Sequence, residues 1–226
     1  MSFEVKHIEK YIDHTYLKAD ATTKDIDKLC EEAKTHGFYS VCVNGAWAGH
    51  CAKSLAGTGV KVAAVVGFPL GAMASEAKAF EAELAAKAGA EEIDMVLAVG
   101  WLLEGRYDDV RADIRAVVEA VKGRAAVKVI FETGFLTAEQ IKIACVLSEE
   151  AGAHFVKTST GFGPGGATVE HIELMRASVS PSVGVKASGG VRDYDAAVKM
   201  IVAGANRLGT SSGVAIVTGS ASSGTY

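Results

Sequence analysis

Two lysines that end neighbouring apolar runs are the residues best suited to covalent chemistry. Lys157 lies in the segment FVKTSTG and Lys186 in the segment GVKASGG. A free lysine has a pKa near about 10.4, and only its neutral form attacks a carbonyl carbon. A second ammonium group nearby, together with removal from water, favours the neutral amine. The pair therefore indicates Schiff-base chemistry, although either lysine alone would also fit a side chain that extends to the barrel rim. The spacing does not decide which one reacts.

Carboxylates within apolar runs are the next candidates. Asp94 lies in the run EIDMV, and a carboxylate there needs a partner or a catalytic role as general acid or base. Asp13 is a weaker case and is included among the candidate substrate-binding residues. Glu132 ends a further run, and we expect it to be a buried counter-ion. Lys61 and Lys128 also lie within runs, but nearer their starts, which favours structural roles.

A phosphate site is indicated separately by glycines and hydroxyl side chains that follow the last two apolar runs. Loops after strands seven and eight of a (β/α)8 barrel, with a helix N-terminus, commonly hold phosphate. The glycine-rich segment 161–166 is weaker evidence for another wall of this site. The segments that follow those two runs are GG (189–190) and GTSSG (209–213).

These residues must be positioned by the elements that the sequence pattern predicts. Eight short apolar runs predict strands over residues 11–14, 40–43, 60–66, 92–97, 127–132, 154–157, 184–186 and 207–209. Apolar residues at helical spacing predict helices over 24–35, 75–88, 108–122, 137–148, 168–177 and 193–203. Thr137 and Gln140 form a predicted capping box. Gly37, Gly89, Gly152 and Gly204 stand at predicted helix ends.

The alternation of strands and helices predicts a parallel sheet with crossover helices. Eight such units in 226 residues favour an α/β fold with one closed (β/α)8 TIM barrel over residues 1–217, followed by a loose tail, 218–226. An open, doubly wound sheet is the alternative. In a closed barrel, active groups lie at the carboxyl ends of the strands, which is where both lysines occur.

Composition narrows the function classes. Apolar residues make up 49% of the chain, and the net charge of −4 provides no basic surface for nucleic acid. The four cysteines form no CxxC pair and are expected to be reduced thiols, and Cys42 is assigned no catalytic role. The six histidines lack HxH or HxxxH spacing, which disfavours a metal site. The GxGxxG-type segment GFGPGG (161–166) does not directly follow the predicted strand 154–157, which disfavours a dinucleotide site. Without a signal peptide or membrane-spanning run, a cytoplasmic location is expected.

Seven segments together resemble the deoxyribose-phosphate aldolase family, in that family's order and over nearly the whole chain. They are IDHT (12–15), SVCVN (40–44), VGFPLG (66–71), EIDMV (92–96), FVKTSTGF (155–162), GVKASGGVR (184–192) and GTSSG (209–213).

The resemblance implies roles that spacing left open. It implies that Lys157 forms the Schiff base with 2-deoxyribose 5-phosphate, and that Lys186 and Asp94 act with it in proton transfer. It also implies that backbone groups at five positions hold the phosphate, with no metal or organic cofactor. They are Gly161, Gly189, Gly190, Ser211 and Ser212. A homodimer or homotetramer is expected, with a small phosphorylated sugar as the only partner.

Two positions differ from the family pattern or stay open. Some members have a lysine where this chain has Phe162, so weaker phosphate binding is expected here. Some use a C-terminal tyrosine in proton transfer, but the tail around Tyr226 does not align clearly. The alternatives are a Schiff-base aldolase with a longer donor and a barrel that binds a phosphorylated ligand without catalysis.

Overall fold

The fold is described from a computed structural model, in which residues 5–220 are described. Tyr226 and its predicted role lie outside these residues, and Thr218, where a tail was predicted, is the last residue of a helix. No helix within 5–220 has the length and apolar character that crossing a membrane requires.

The strands are β1 Ile12–Tyr16, β2 Ser40–Asn44, β3 Lys61–Val66, β4 Glu92–Val96, β5 Ala126–Ile130, β6 Phe155–Lys157, β7 Gly184–Ser188 and β8 Arg207–Thr210. The helices are α1 Thr23–His36, α2 Ala48–Ser54, α3 Ser75–Lys87, α4 Val99–Leu103, α5 Tyr107–Ala120, α6 Ala138–Glu150, α7 Val169–Ser178, α8 Tyr194–Val202 and α9 Gly213–Thr218.

The strands form a closed parallel barrel in sequence order, with β8 paired to β1. The predicted (β/α)8 barrel is confirmed, and the alternative prediction of an open, doubly wound sheet is wrong. Helices α2 and α4 were not predicted, because seven and five residues are too few to show a clear helical period. Strand β5 ends at Ile130 rather than at Glu132, since Glu132 adopts a left-handed backbone conformation with φ 55°.

Strand residues alternate between two environments, as a period of two requires. In β4, Ile93 and Met95 face outward into the apolar layer beneath the helices. Asp94, between them, points into the barrel and pairs there with lysines. Burial of the outward set provides the hydrophobic stabilisation of the fold. The inward set is free to carry chemistry.

Helix ends follow the sequence signals. The Thr137 side chain accepts from the Gln140 N–H, and the Gln140 side chain accepts from the Thr137 N–H, which confirms the capping box of α6. Gly37 ends α1 in a left-handed conformation, φ 66°, which glycine adopts without a Cβ clash. These stops direct the chain back into the next strand.

A buried ion pair joins α3, α5 and β4 outside the barrel. The Lys78 ammonium donates to Asp113 Oδ2 at 2.7 Å and to the Val96 carbonyl at 3.0 Å, and both side chains are fully buried. The stem of Lys78 packs against Gly67, the first residue after β3. The pair therefore fixes α3 against the carboxyl ends of β3 and β4.

Removing one partner of this pair should destabilise the fold strongly, because the other charge stays buried. We expect Lys78→Met to lower the free energy of unfolding by about 3–5 kcal/mol in urea denaturation. Lys87→Met, at an exposed position on the same helix, is the control and should change it by less than about 0.5 kcal/mol. The double variant Lys78→Met/Asp113→Leu should recover much of the loss, and additive losses would contradict the account.

Candidate active site

The two lysines singled out in the sequence lie side by side inside the barrel. Lys157 and Lys186 are register partners in β6 and β7. Their ammonium nitrogens both lie 2.8 Å from the same oxygen, Asp94 Oδ2, and both side chains are buried. The structure therefore brings together Lys157, Lys186 and Asp94, the three residues that the resemblance linked. Both lysines contact the same oxygen of Asp94.

Further charged side chains surround this point. The Lys128 amine contacts Asp94 Oδ1 at 2.8 Å and Glu92 Oε2 at 2.6 Å. Lys186 also contacts Asp13 Oδ2 at 2.5 Å. The Arg207 guanidinium bridges Asp13, at 2.8 Å, and Glu92, at 3.1 Å. We call this set the charge cluster; it comprises Asp13, Glu92, Asp94, Lys128, Lys157, Lys186 and Arg207.

The charge cluster has four basic side chains but three carboxylates. Lys128, Lys186 and Arg207 each contact two or more carboxylates. Lys157 contacts one carboxylate oxygen, which it shares with Lys186. Because an uncompensated charge is costly inside a protein, the cluster is balanced when one base is neutral. The contacts make Lys157 the base that loses its proton most readily.

The pKa shifts agree with this count. The pKa of Lys157 is lowered, mainly because burial disfavours the charged amine. The Asp94 carboxylate opposes this shift, whereas the positive charge of Lys186 adds to it. Burial also disfavours charge on Lys186, but Asp13 and Asp94 outweigh it and hold the pKa of Lys186 well above its usual range. The pKa of Lys128 is likewise raised, since Asp94 and Glu92 outweigh burial. Of the three amines, only Lys157 is shifted toward the nucleophilic form.

The carboxylates stay ionised for a related reason. Burial alone would raise the pKa of Asp94, but three ammonium groups outweigh it and hold that pKa well below its ordinary value. The pKa of Asp13 is also lowered, because Lys186, Lys128 and Arg207 outweigh its burial. The Lys157 amine therefore faces a carboxylate that is ionised at neutral pH.

The Asp13 carboxylate lies in this interior, among the other charged side chains. It contacts Lys186 and Arg207 and accepts from the Ser40 hydroxyl at 2.7 Å. Lys61, in contrast, begins β3 at the opposite end of the barrel, where its amine lies 5.5 Å from the Tyr39 ring centre. Lys128 has the structural role favoured for it, as a partner of two carboxylates.

Sequence reasoning missed Glu92 and Arg207. Both precede recognised positions by two residues: Glu92 comes before Asp94, and Arg207 comes before Gly209. A strand residue two positions away faces the same side, so period-two spacing was the signal that could have found them. Neither contacts Lys157, which explains why motif reasoning did not select them.

Three of the five predicted phosphate residues line a small cleft between the loops after β7 and β8. Gly190, Arg192, Ser211 and Ser212 contribute to its lining. Gly190 has φ 83°, with nothing within 4 Å of the place where a Cβ would stand, so its backbone is open to the cleft. Gly161 and Gly189 also adopt positive φ, but neither lines this cleft.

Glu132 is buried as predicted, but it is not a counter-ion. Oε2 accepts from the Thr160 N–H at 3.2 Å and from the Thr160 hydroxyl, and within residues 5–220 it forms no salt bridge. The Thr160 hydroxyl accepts in turn from the Phe162 N–H at 3.0 Å. Glu132 therefore holds the loop that follows Lys157.

An apolar wall stands across the barrel from these charges. It combines Leu17, Cys42, Ala63 and Val65, with Phe68 packed against them. The Cys42 thiol lies 4.0 Å from Asp94 Oδ2, and burial raises its pKa, so it remains a neutral thiol. Within residues 5–220, no His, Cys, Asp and Glu side chains are grouped to hold a metal.

Comparison with known proteins places this geometry in a family. The model of the DeoC/LacD family aldolases matches residues 8–219. The deoxyribose-phosphate aldolase of Brevibacillus brevis is 59% identical over 218 residues, 96% of this chain and 98% of its own length. That of a Geobacillus species is 58% identical over 220 residues, 97% of this chain and 99% of its own. The tetrameric deoxyribose phosphate aldolase structure from Aeropyrum pernix is 33% identical, with TM-score 0.86, covering 93% of this chain and 89% of that one. A closed barrel with a buried lysine pair thus accompanies a match over nearly the full length, and the chain belongs to the DeoC/LacD family of aldolases.

Proposed function

We propose that the protein is a deoxyribose-phosphate aldolase that cleaves 2-deoxy-D-ribose 5-phosphate reversibly to D-glyceraldehyde 3-phosphate and acetaldehyde. One observation carries the proposal. In the buried charge cluster of four bases and three acids, the one carboxylate oxygen that Lys157 contacts is shared with Lys186. An amine in that position reacts with a carbonyl group at neutral pH. The family and the names of the full-length relatives support the same activity.

The reaction begins when neutral Lys157 attacks the C1 aldehyde of the open-chain sugar. Loss of water from the carbinolamine gives an iminium ion, which withdraws electrons from C2. A base removes the C3 hydroxyl proton, the C2–C3 bond breaks, and glyceraldehyde 3-phosphate leaves. The remaining enamine is protonated at C2, and water hydrolyses the iminium to acetaldehyde and free Lys157. The water lost in the first stage is regained in the last.

Asp94 and Lys186 are the proposed proton-transfer pair. Asp94 Oδ2 lies 2.8 Å from both amines, so a proton can pass between the reacting nitrogen and this carboxylate without a change in the backbone. Before the substrate binds, Lys186 is charged, because Asp13 and Asp94 outweigh its burial and raise its pKa. Burial and the Lys186 charge together lower the pKa of Lys157.

The phosphate end is proposed to lie in the cleft between β7 and β8. Gly190, Ser211 and Ser212 line this cleft, and exposed Arg192 adds a positive charge. The Ser212 N–H donates to the Thr210 hydroxyl at 2.9 Å, which fixes the loop after β8. Gly161 and Gly189 shape the adjoining loops. The Phe162 side chain has no charge to offer the phosphate, and its ring packs edge-on against that of Phe68, with ring centres 5.3 Å apart.

A homo-oligomer and a cytoplasmic location complete the proposal. The Aeropyrum pernix relative is a tetramer, which supports assembly into a homodimer or homotetramer here. The four cysteines are buried free thiols, as expected of a protein in a reducing compartment.

Reductive trapping tests the nucleophile. Acetaldehyde followed by borohydride should add one ethyl group to Lys157, located by peptide mass mapping, and Lys157→Met should abolish both the label and the cleavage activity. Lys53→Met, at an exposed position, is the control and should keep both. An ethyl group on Lys186 or Lys128 instead would contradict the assignment.

The pH dependence of cleavage tests the role of Lys186. The free-enzyme profile of kcat/KM should rise with pH as Lys157 loses its proton, and level off below pH 10.5, because the Lys157 pKa is lowered from that value. Lys186→Met removes a cation that disfavours protonated Lys157, and leaves Asp94 to stabilise it. The rising limb should therefore move to higher pH. An unchanged limb, or one at lower pH, would exclude electrostatic control by Lys186.

A further inference from the structure

His14 is a buried histidine of β1 that lies outside the charge cluster. Asp13 points into the barrel, so His14, the next residue of the strand, points outward toward the helices. Its Nε2 lies 2.7 Å from Glu32 Oε2 on α1. The hydrogen bond from His14 holds the pKa of Glu32 below its ordinary value, so this carboxylate is an anion that can only accept. Nε2 of His14 therefore carries the hydrogen that joins the two side chains.

The other ring nitrogen of His14 faces the first residue of α9. Nδ1 is buried and has no hydrogen-bond partner among residues 5–220. In a neutral ring whose Nε2 carries the hydrogen, Nδ1 carries none, so no hydrogen separates it from the backbone that packs there. That backbone belongs to Gly213, where a Cβ would lie 2.8 Å from Nδ1 and 3.1 Å from both Ile12 and Phe38. Glycine is required at this position because any Cβ would collide with the ring.

The three residues that contact Gly213 form a packed support under the loop of the proposed phosphate cleft. We call Ile12, His14 and Phe38 the Gly213 seat. The rings of His14 and Phe38 pack with their centres 4.9 Å apart. Gly213 directly follows the two serines at 211–212, which line the cleft. The Gly213 seat therefore sets how far these serines stand from a group bound in the cleft.

The two ends of this loop are held in different ways. At its start, the Thr210 hydroxyl accepts from the Ser212 N–H and donates to the Val191 carbonyl at 2.6 Å, which ties the loop to the one after β7. Behind the serines, a cavity of about 270 Å³ lies between the loop and α1. The loop therefore has room to shift toward α1 when the Gly213 seat is altered.

We propose that His14 is a positioning residue for phosphate binding. Its ring, oriented by Glu32, seats Gly213 and thereby sets the position of Ser211 and Ser212 against the phosphate group of the substrate. His14 acts through Gly213 and does not touch the sugar. The inference rests on the proposed function and on the place proposed there for the phosphate. Its consequence is that His14 affects a phosphorylated substrate more than an unphosphorylated one.

Two sugars that differ by the phosphate group isolate this role. The ratio of kcat/KM for 2-deoxyribose 5-phosphate to that for 2-deoxyribose reports what the phosphate contributes. His14→Leu should lower this ratio about tenfold, chiefly through a higher KM for the phosphorylated sugar, because the polar groups of the shifted loop no longer meet the phosphate. His50→Leu is the matched control: His50 also pairs with a carboxylate, Asp27 at 2.6 Å, but on the outer side of α1 and α2, and the ratio should stay unchanged.

Inorganic phosphate gives a second measurement that needs no unphosphorylated substrate. As a competitor for the cleft, it should inhibit the wild type, and its inhibition constant should rise about tenfold in His14→Leu and stay unchanged in His50→Leu. Glu32→Leu removes the group that orients His14 and should change both quantities in the same direction, by about threefold. Asp27→Leu is its matched control and should change neither.

A double variant checks that the effect passes through Gly213. Gly213→Ala alone should lower the ratio, because its Cβ collides with the ring, and His14→Asn alone should lower it because the ring is lost. The shorter side chain of His14→Asn leaves room for the Cβ, so the two effects combined should be smaller than their product. Effects that multiply fully would mean that His14 and Gly213 act separately, which would overturn the inference.

Two further results would overturn the inference. One is an equal loss with both sugars in His14→Leu, which would mean that His14 supports only the barrel as a whole; the other is a ratio and an inhibition constant that stay within about twofold of the wild type. If His14→Leu does not fold, Glu32→Leu and Gly213→Ala decide by the same two measurements. A wild type that cleaves the sugars while the variants keep the ratio leaves the aldolase function intact, whereas a wild type that cleaves neither sugar rejects both proposals.

Discussion

The structure depends on one carboxylate that is shared by three buried ammonium groups. One oxygen of Asp94 contacts the amines of Lys157 and Lys186, and the other contacts the amine of Lys128, at 2.8 Å in each case. Two of these lysines have further acidic partners and remain charged. The third, Lys157, has none of its own among the described residues, so its desolvation is relieved by losing a proton. In the proposed mechanism, the nucleophilicity of Lys157 follows from this unequal sharing of carboxylates among the lysines.

A closed barrel is what makes such sharing possible. Charges from β1, β4, β5, β6, β7 and β8 converge on one axis, while the outward residues of the same strands form the apolar layer beneath the helices. A buried ion network costs stability unless every charge has a partner, so the surrounding scaffold must be firm. The buried Lys78–Asp113 pair and the capped helices contribute to that firmness outside the barrel.

Much of the fold and the centre of the candidate site could be predicted from sequence because the signals were local. Apolar runs, glycine stops and the capping box at Thr137 predicted the barrel elements, and the lysine motifs led to β6 and β7. What failed depended on long-range contacts. Glu92 pairs with Lys128 and Arg207, and Arg207 pairs with Glu92 and Asp13. These residues lie on different strands, and no local pattern reports such pairings. Glu132 was expected to need a cation, whereas its main partner is the Thr160 loop on the neighbouring strand.

The most direct test is to change the charge count without touching Lys157. Glu92→Gln removes an anion and Arg207→Gln removes a cation, and neither residue contacts Lys157 among the described residues. The pKa of Lys157, measured from the pH dependence of its labelling by acetaldehyde and cyanoborohydride relative to a surface lysine, should fall in the first variant and rise in the second. Shifts in the same direction, or none in either variant, would show that local burial rather than the balance of four bases and three acids sets its reactivity.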